Sequence, residues 1–288
     1  MKKVKTLGQA VAAATIGMTL TAGAMAGEVN IGFTGPLSGG AALYGENTLS
    51  GLRMAAEEIN AAGGFDLNGE KTTINLVSLD DRYSPAQAAT NAKRLKQESN
   101  VPAVFIPHSG GVFALQDFNE KDDFLIMAYT SVPTVTEKGN SLTLRIPPTF
   151  DGYVRAFTDY ALEHAGKTLG MAGGMEMVEG AIGVVPLSVY ETEAAKSFIE
   201  RYQDKYGKIP GSEAAYNYLA LHGLVEAMDA TESTDPKVIR GAIGNALANM
   251  DSSKNPYEVS EVTDKGGFVT ETTLAVVKDG KIVREPIE

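Results

Sequence analysis

The sequence contains no cysteine, which excludes disulfides, zinc–thiolate sites and thiol catalysis. Hydrophobic residues make up 43% of the chain, enough to bury a core without cross-links in an oxidising compartment. Histidine is scarce: His108, His164 and His222 stand far apart and make no metal-ligand spacing. Cations are the minority charge. The formal net charge is −11, and nucleic-acid binding, which needs clustered cations against phosphate, is not expected. There is no Gly-x-Ser-x-Gly elbow, no phosphate loop ending in Gly-Lys-Ser/Thr and no Gly-x-Gly-x-x-Gly turn. Neither a metal nor an organic cofactor is expected. No repeat of solenoid period occurs, and after residue 26 no stretch is apolar enough to span a membrane.

The first 26 residues read as a cleaved export signal. Lys2, Lys3 and Lys5 make a basic start, Leu7 to Leu20 is uncharged and apolar, and Ala24-Met25-Ala26 offers a small-x-small cleavage pattern. The apolar run is shorter than the roughly 20 residues a spanning helix needs. With no cysteine at the cut, a lipid anchor has no attachment point. The expected mature form starts at Gly27, is periplasmic, and carries a net charge of −14 once the three signal lysines are gone.

From Gly27 onward strand and helix patterns alternate. Val29, Ile31 and Phe33 alternate with polar or small residues as a strand. Leu49, Leu52, Ala56 and Ile59 recur at helical spacing, and Gly63-Gly64 ends that helix. Asn68-Gly69 marks a tight turn before a strand through Ile74, Leu76 and Val77. Ser84-Pro85 starts a helix lined by Ala88, Ala92 and Leu95. Ala103–Ile106 and Phe124–Ala128 are further strands, with Val112, Leu115 and Phe118 on the helix between them. This rhythm predicts a doubly wound α/β layer with a parallel sheet. Leu142 to Ile146 runs into Pro147-Pro148, a hinge into a second lobe. There Val154, Phe157 and Ala161 line a helix, Thr168 to Met171 is a strand, and Ala181 to Val185 is already the next. Three helices follow, lined by Ala195, Phe198, Ile199 and Tyr202, by Ala215, Tyr218, His222 and Val225, and by Val238, Ala242 and Ile243. Asp264 to Gly267 is turn-like, and Asp279-Gly280 signals a closing hairpin.

Ligands of open α/β sheets bind beyond the carboxyl ends of the strands. Three loops there are small and polar: Gly35 to Gly40, Ser109-Gly110-Gly111, and Thr130-Ser131. Gly110 and Gly111 open a helix, whose N–H groups and dipole favour a carboxylate. Ser109 and Ser131 add hydroxyls, and Tyr44 is placed to wall the site with its ring. Glycines that merely make βα turns are the plain alternative. Asp80-Asp81 reads as a loop cap rather than a cation site. His222, on an apolar face, reads as a satisfied core histidine. His108 and Ser109, adjacent on the chain, point to opposite sides and are not expected to form a base–nucleophile pair.

The order of these features resembles the type I periplasmic binding proteins that feed leucine, isoleucine, valine and related amides to ABC transporters. The matching stretches are Ile31-Gly32-Phe33-Thr34-Gly35-Pro36-Leu37-Ser38-Gly39, Ala55 to Gly64, Asp80-Asp81 with Pro85 and Ala88, and Phe198-Ile199-Glu200-Arg201-Tyr202 ahead of Tyr206-Gly207 and Pro210. The resemblance implies a two-lobed, non-enzymatic binding protein. Segments 28–146 and 188–258 form lobe one; 147–187 and 259–288 form a lobe two shortened after Gly174. It implies that Ser109, Gly110 and Gly111 hold a ligand carboxylate, that Thr130 and Ser131 contact the ammonium end, and that Tyr44 is a wall. The implied partners are a small amino acid or amide and an inner-membrane ABC permease. Gly110 departs from the family's usual serine, and the shortened lobe lacks counterparts of the residues that pair the ammonium. A degenerate module that folds without binding is one alternative, and a secreted hydrolase using Ser109 is another.

Overall fold

Strand β1 (Gly27–Gly35) sits inside a six-stranded sheet of order β2-β3-β1-β4-β5-β6. A computed structural model gives this architecture and describes residues 27–151, 182–184, 186–270 and 273–286, together with Val154 and Thr158. The neighbours of β1 are β3 (Glu70–Asp80) and β4 (Ala103–Ile106), followed outward by β5 (Leu125–Ala128) and β6 (Thr143–Arg145), all parallel. Short β2 (Phe65–Leu67) pairs antiparallel with β3. Its tight turn is Asn68-Gly69, both left-handed at φ 54° and 79°. Setting that hairpin arm aside, the chain moves from β1 outward one way to β3, then reverses to β4. The reversal makes a topological switch point between β1 and β4, where open α/β sheets open a crevice.

Helices cover both faces. On one lie α2 (Pro85–Ser99) and α3 (Ser109–Gln116), with short α4 (Asn119–Asp122) and α5 (Thr134–Glu137). On the other lies α1 (Ala42–Ala61), joined from far along the chain by α6 (Glu193–Tyr206), α7 (Ser212–Thr231) and α8 (Pro236–Asn249). Strand side chains alternate between two cores. Phe33, Phe105 and Met127 pack with α1 and α7, whereas Val104, Ile106 and Ile126 pack with α2 and α3. Helix α1 crosses α7 so closely that a Cβ on Gly51 would lie 2.0 Å from the Ala214 carbonyl oxygen. A second sheet, of order β11-β10-β7, joins β7 (Ile182–Val184), β10 (Thr273–Lys278) and β11 (Lys281–Pro286). The hairpin β8 (Glu261–Val262) and β9 (Phe268–Val269) precedes it.

Most expected elements form, with Ser84 capping α2 as anticipated. Several details differ. The turn at Asn68-Gly69 closes a hairpin, so the first sheet has an antiparallel edge. In the second sheet all described pairings are antiparallel. Val154 is 59% exposed and does not line a buried face; Phe157, Ala161 and the strand expected over 168–171 lie outside the described residues. On α8 the buried stripe is Ile239, Ile243, Ala246 and Leu247, one position on from Val238, which is exposed. Capping by Asp235 and Pro236 fixes the start of that helix and thereby the face it buries. Residues 1–26 also lie outside the described residues.

Candidate ligand-binding site

The three polar loops gather at the carboxyl ends of β1, β4 and β5, flanking the switch point. In the first, the Leu37 N–H and Ser38 hydroxyl donate to the Asp80 carboxylate at 2.9 and 2.5 Å, and the Arg82 N–H adds 2.9 Å. Partial burial would raise the Asp80 pKa, but these hydrogen bonds outweigh it and hold the carboxyl below its usual range. Asp80 is the expected loop cap, and Ser38 is committed to it.

Beneath the second loop runs a buried polar chain. Asn91 donates to the Thr34 hydroxyl at 3.1 Å, and Thr34 donates to Asp81 Oδ2 at 3.1 Å. His108 Nε2 meets the same oxygen at 3.0 Å, and the Tyr83 N–H donates to Asp81 Oδ1 at 2.8 Å. The Gly111 N–H then donates to His108 Nδ1 at 3.0 Å. Because Nδ1 accepts, the ring's proton sits on Nε2 and points at Asp81. Both ring nitrogens are thus engaged away from Ser109, in line with the expectation that the pair does not meet. Of the first amides of α3, that of Gly111 is held by His108 and is not left to offer outward. The signal that could have pointed to this arrangement is a histidine directly before Ser109-Gly110-Gly111 together with an aspartate at another strand's carboxyl end.

In the third loop the Thr130 hydroxyl accepts from the Val132 N–H at 3.3 Å, and the Ser131 carbonyl accepts from the Phe150 N–H at 3.1 Å. Ser109, Gly110, Thr130 and Ser131 are all half-buried, as a site open on one side requires. The Tyr44 hydroxyl donates to the Pro107 carbonyl at 2.8 Å, tying α1 to the loop that leads into Ser109.

A cavity of about 900 Å³ lies at the opposite end of the sheet, between the end of α1 and helices α6, α7 and α8. Several of its charges are paired with one another. Arg201 pairs with Glu58, the Tyr218 hydroxyl donates to Glu58 at 2.6 Å, and Lys254 meets Glu226 at 3.0 Å. His222 lines it and is buried as expected, but it is not satisfied: Nε2 has no hydrogen-bond partner. Burial first, then Lys254 and Arg201, push its imidazole down to about 3. Among the described residues no group of acids and histidines could hold a metal ion. No described helix is long and apolar enough to cross a membrane.

A family model of periplasmic binding proteins matches residues 28–175. An amino acid binding protein from Pseudomonas aeruginosa is 39% identical over 122 residues, 41% of this chain and 31% of that protein. A Leu/Ile/Val-binding protein homolog from Brucella suis is 27% identical over 203 residues, 69% of this chain and 47% of that protein. The chain spans about a third to a half of the length of these curated relatives. The branched-chain amino acid transporter substrate binding protein LivJ from Streptococcus pneumoniae, solved with isoleucine, shares the fold. It superposes with a TM-score of 0.68 at 19% identity, over 90% of this chain and 99% of that one. With the family match running through half of its length and its fold that of the type I members, this chain belongs to the periplasmic binding protein family.

Proposed function

We propose that the protein is the extracytoplasmic solute-binding component of an ABC transporter, taking branched-chain amino acids or related small amides and delivering them to a membrane permease. The observation that carries this is the convergence of three polar loops on the switch point between β1 and β4. In this reading Ser109 and Gly110 hold the ligand carboxylate, with Gly111 shaping the turn behind them. Thr130 and Ser131 meet the ammonium end, and Tyr44 walls the side chain. Segments 28–146 and 188–258 make the first lobe, and 147–187 with 259–288 make a shortened second lobe. The family's periplasmic setting supports export, with cleavage after Ala26. The hydrolase alternative loses its base, since His108 is bonded to Asp81 and Gly111. Calorimetric titration of leucine into the purified protein tests the reading. Heat that saturates at one site, and that Ser109→Ala weakens, is expected. Absence of heat with leucine, isoleucine, valine and small amides would leave the degenerate-module alternative standing.

A further inference from the structure

Asn68-Gly69 is the sole Asn-Gly pair in the sequence. It makes the two-residue turn between β2 and β3, closed by the pairing of Leu67 with Glu70. Both turn residues are exposed. Among the described residues no hydrogen bond engages the Asn68 side chain or the Gly69 N–H. A Cβ on Gly69 would find nothing within 4 Å, so the glycine nitrogen stands unshielded.

Two other asparagines outside helices and strands are built differently. Asn100 shares the left-handed backbone, at φ 47°, but the nitrogen after it belongs to Val101, a β-branched residue with no exposed surface. Asn140 donates its amide to Asn119 at 2.8 Å, and its side-chain oxygen accepts from the Leu142 N–H at 3.1 Å and the Thr143 hydroxyl at 2.9 Å. Of the three, Asn68 alone sets a free side-chain amide beside an unshielded nitrogen. The hairpin end is also lightly held. Strand β2 has three residues, and its outer pair, Leu67 and Glu70, can open while Phe65 stays buried. That opening gives the Gly69 nitrogen the torsional freedom to reach the Asn68 side chain.

We propose that Asn68 is a site of spontaneous covalent modification, deamidation through a cyclic succinimide. The Gly69 nitrogen gives its proton to solvent and attacks Asn68 Cγ. A C–N bond forms to the backbone, the bond to the side-chain nitrogen breaks, and ammonia leaves. Water then opens the imide, giving aspartate by addition at the side-chain carbonyl and isoaspartate by addition at the backbone carbonyl. Either product puts a new carboxylate between Asp66 and Glu70. Isoaspartate also lengthens the backbone by a methylene, which breaks the register of Leu67 against Glu70. It thereby loosens β2 from Asp229, whose carboxylate accepts from the Asp66 N–H at 2.6 Å.

The purified, folded protein is held in warm, mildly alkaline buffer beside a synthetic peptide of residues 65–72, which sets the time scale. Proteolytic fragments are mapped by mass, and isoaspartate is labelled with an isoaspartate-specific carboxyl methyltransferase. Over the time in which the peptide converts, Asn68 is expected to exchange its NH2 for OH and yield isoaspartate, while Asn100 and Asn140 keep their amides. Asn68→Gln, whose longer side chain closes the ring poorly, should remove the methylation signal from that fragment. An amide retained at Asn68 after the peptide has converted overturns the proposal. So does conversion confined to urea-unfolded protein, equal or faster conversion at Asn100 or Asn140, or aspartate formed without isoaspartate. Faster hydrogen exchange of the Asp66 amide is expected in the isoaspartate-bearing fraction, and unchanged exchange there overturns the loosening of β2. Should Asn68→Gln not fold, the mapping on the unaltered protein decides.

Discussion

His108 accepts a hydrogen bond from the Gly111 N–H at 3.0 Å while its other ring nitrogen meets buried Asp81 at 3.0 Å. An aspartate that is fully buried therefore reaches the positive end of α3 through an imidazole. Removing the ring in His108→Ala uncaps the helix and takes from the Asp81 side chain one of its hydrogen bonds. Leaving a buried acceptor without its hydrogen-bond partner costs about 1–3 kcal/mol. Urea unfolding is expected to show a loss of that order, with His108→Asn, which keeps a capping side chain, falling between alanine and the native protein. A loss under about 1 kcal/mol for alanine would mean that Asp81 is satisfied without the ring.

Gly111 is also the tightest position at the proposed site. A Cβ there would lie 2.4 Å from Ile106 Cδ1 and 2.5 Å from His108 Cε1. Gly111→Val is expected to displace the Ser109–Gly110 turn and weaken leucine binding at least about tenfold, about 1.4 kcal/mol. Ser38→Ala removes one exposed hydrogen bond to Asp80 and should change affinity far less. Calorimetry on both variants checks this. Equal effects would count against the start of α3 as the carboxylate contact.

The buried imidazole of His222 has a calculable consequence for acid stability. Free imidazole titrates near 6.5, and His222 in the folded protein near 3. Above 6.5 both folded and unfolded states are neutral there, and the contribution to stability is complete. As pH falls from 6.5 toward 3, the unfolded chain takes up a proton that the folded one refuses. Stability drops by up to about 1.4 kcal/mol per pH unit from this group. In His222→Leu, denaturant titrations across that range should show a pH slope shallower by one proton. An unchanged slope would mean that the native ring titrates normally.

Two helical glycines should respond in opposite directions to alanine. At Gly51 the added Cβ would meet the Ala214 carbonyl oxygen at 2.0 Å, forcing α1 and α7 apart. A loss of about 1–3 kcal/mol is expected, as for other overpacked interiors. At Gly241, in α8, nothing lies within 4 Å, and alanine should stabilise by about 0.5–1 kcal/mol through helix propensity. Thermal unfolding of the pair distinguishes them, and a common sign would contradict the crossing geometry.

The first sheet was legible because each of its signals is local. Alternation in β1, the Ser84-Pro85 start of α2 and the short apolar run of β4 each depend on a few consecutive residues. The strand β2 was missed because three residues, Phe65 to Leu67, are too few for a period to register. The stripe of α8 was misread at Val238 because neighbouring apolar positions, Val238 and Ile239, fit the helical spacing almost equally well. The loops of the site were visible as glycine, serine and threonine clusters, but the partner of each donor was not. That His108 is bonded to Asp81 depends on a contact between residues 27 positions apart.

The close crossing of α1 and α7 also governs when the first lobe can form. One partner is complete by Ala61 and the other only by Thr231. A chain emerging from the ribosome can pair β1, β3, β4 and β5 early, since their connections are short. The apolar side of α1 must then wait through most of synthesis for its cover. Closing so long a loop costs little more entropy than closing one half its length, but contacts of such high sequence separation slow folding. The nascent protein therefore stays half-assembled until its last third is made, a delay set by helix order rather than by any sequence signal.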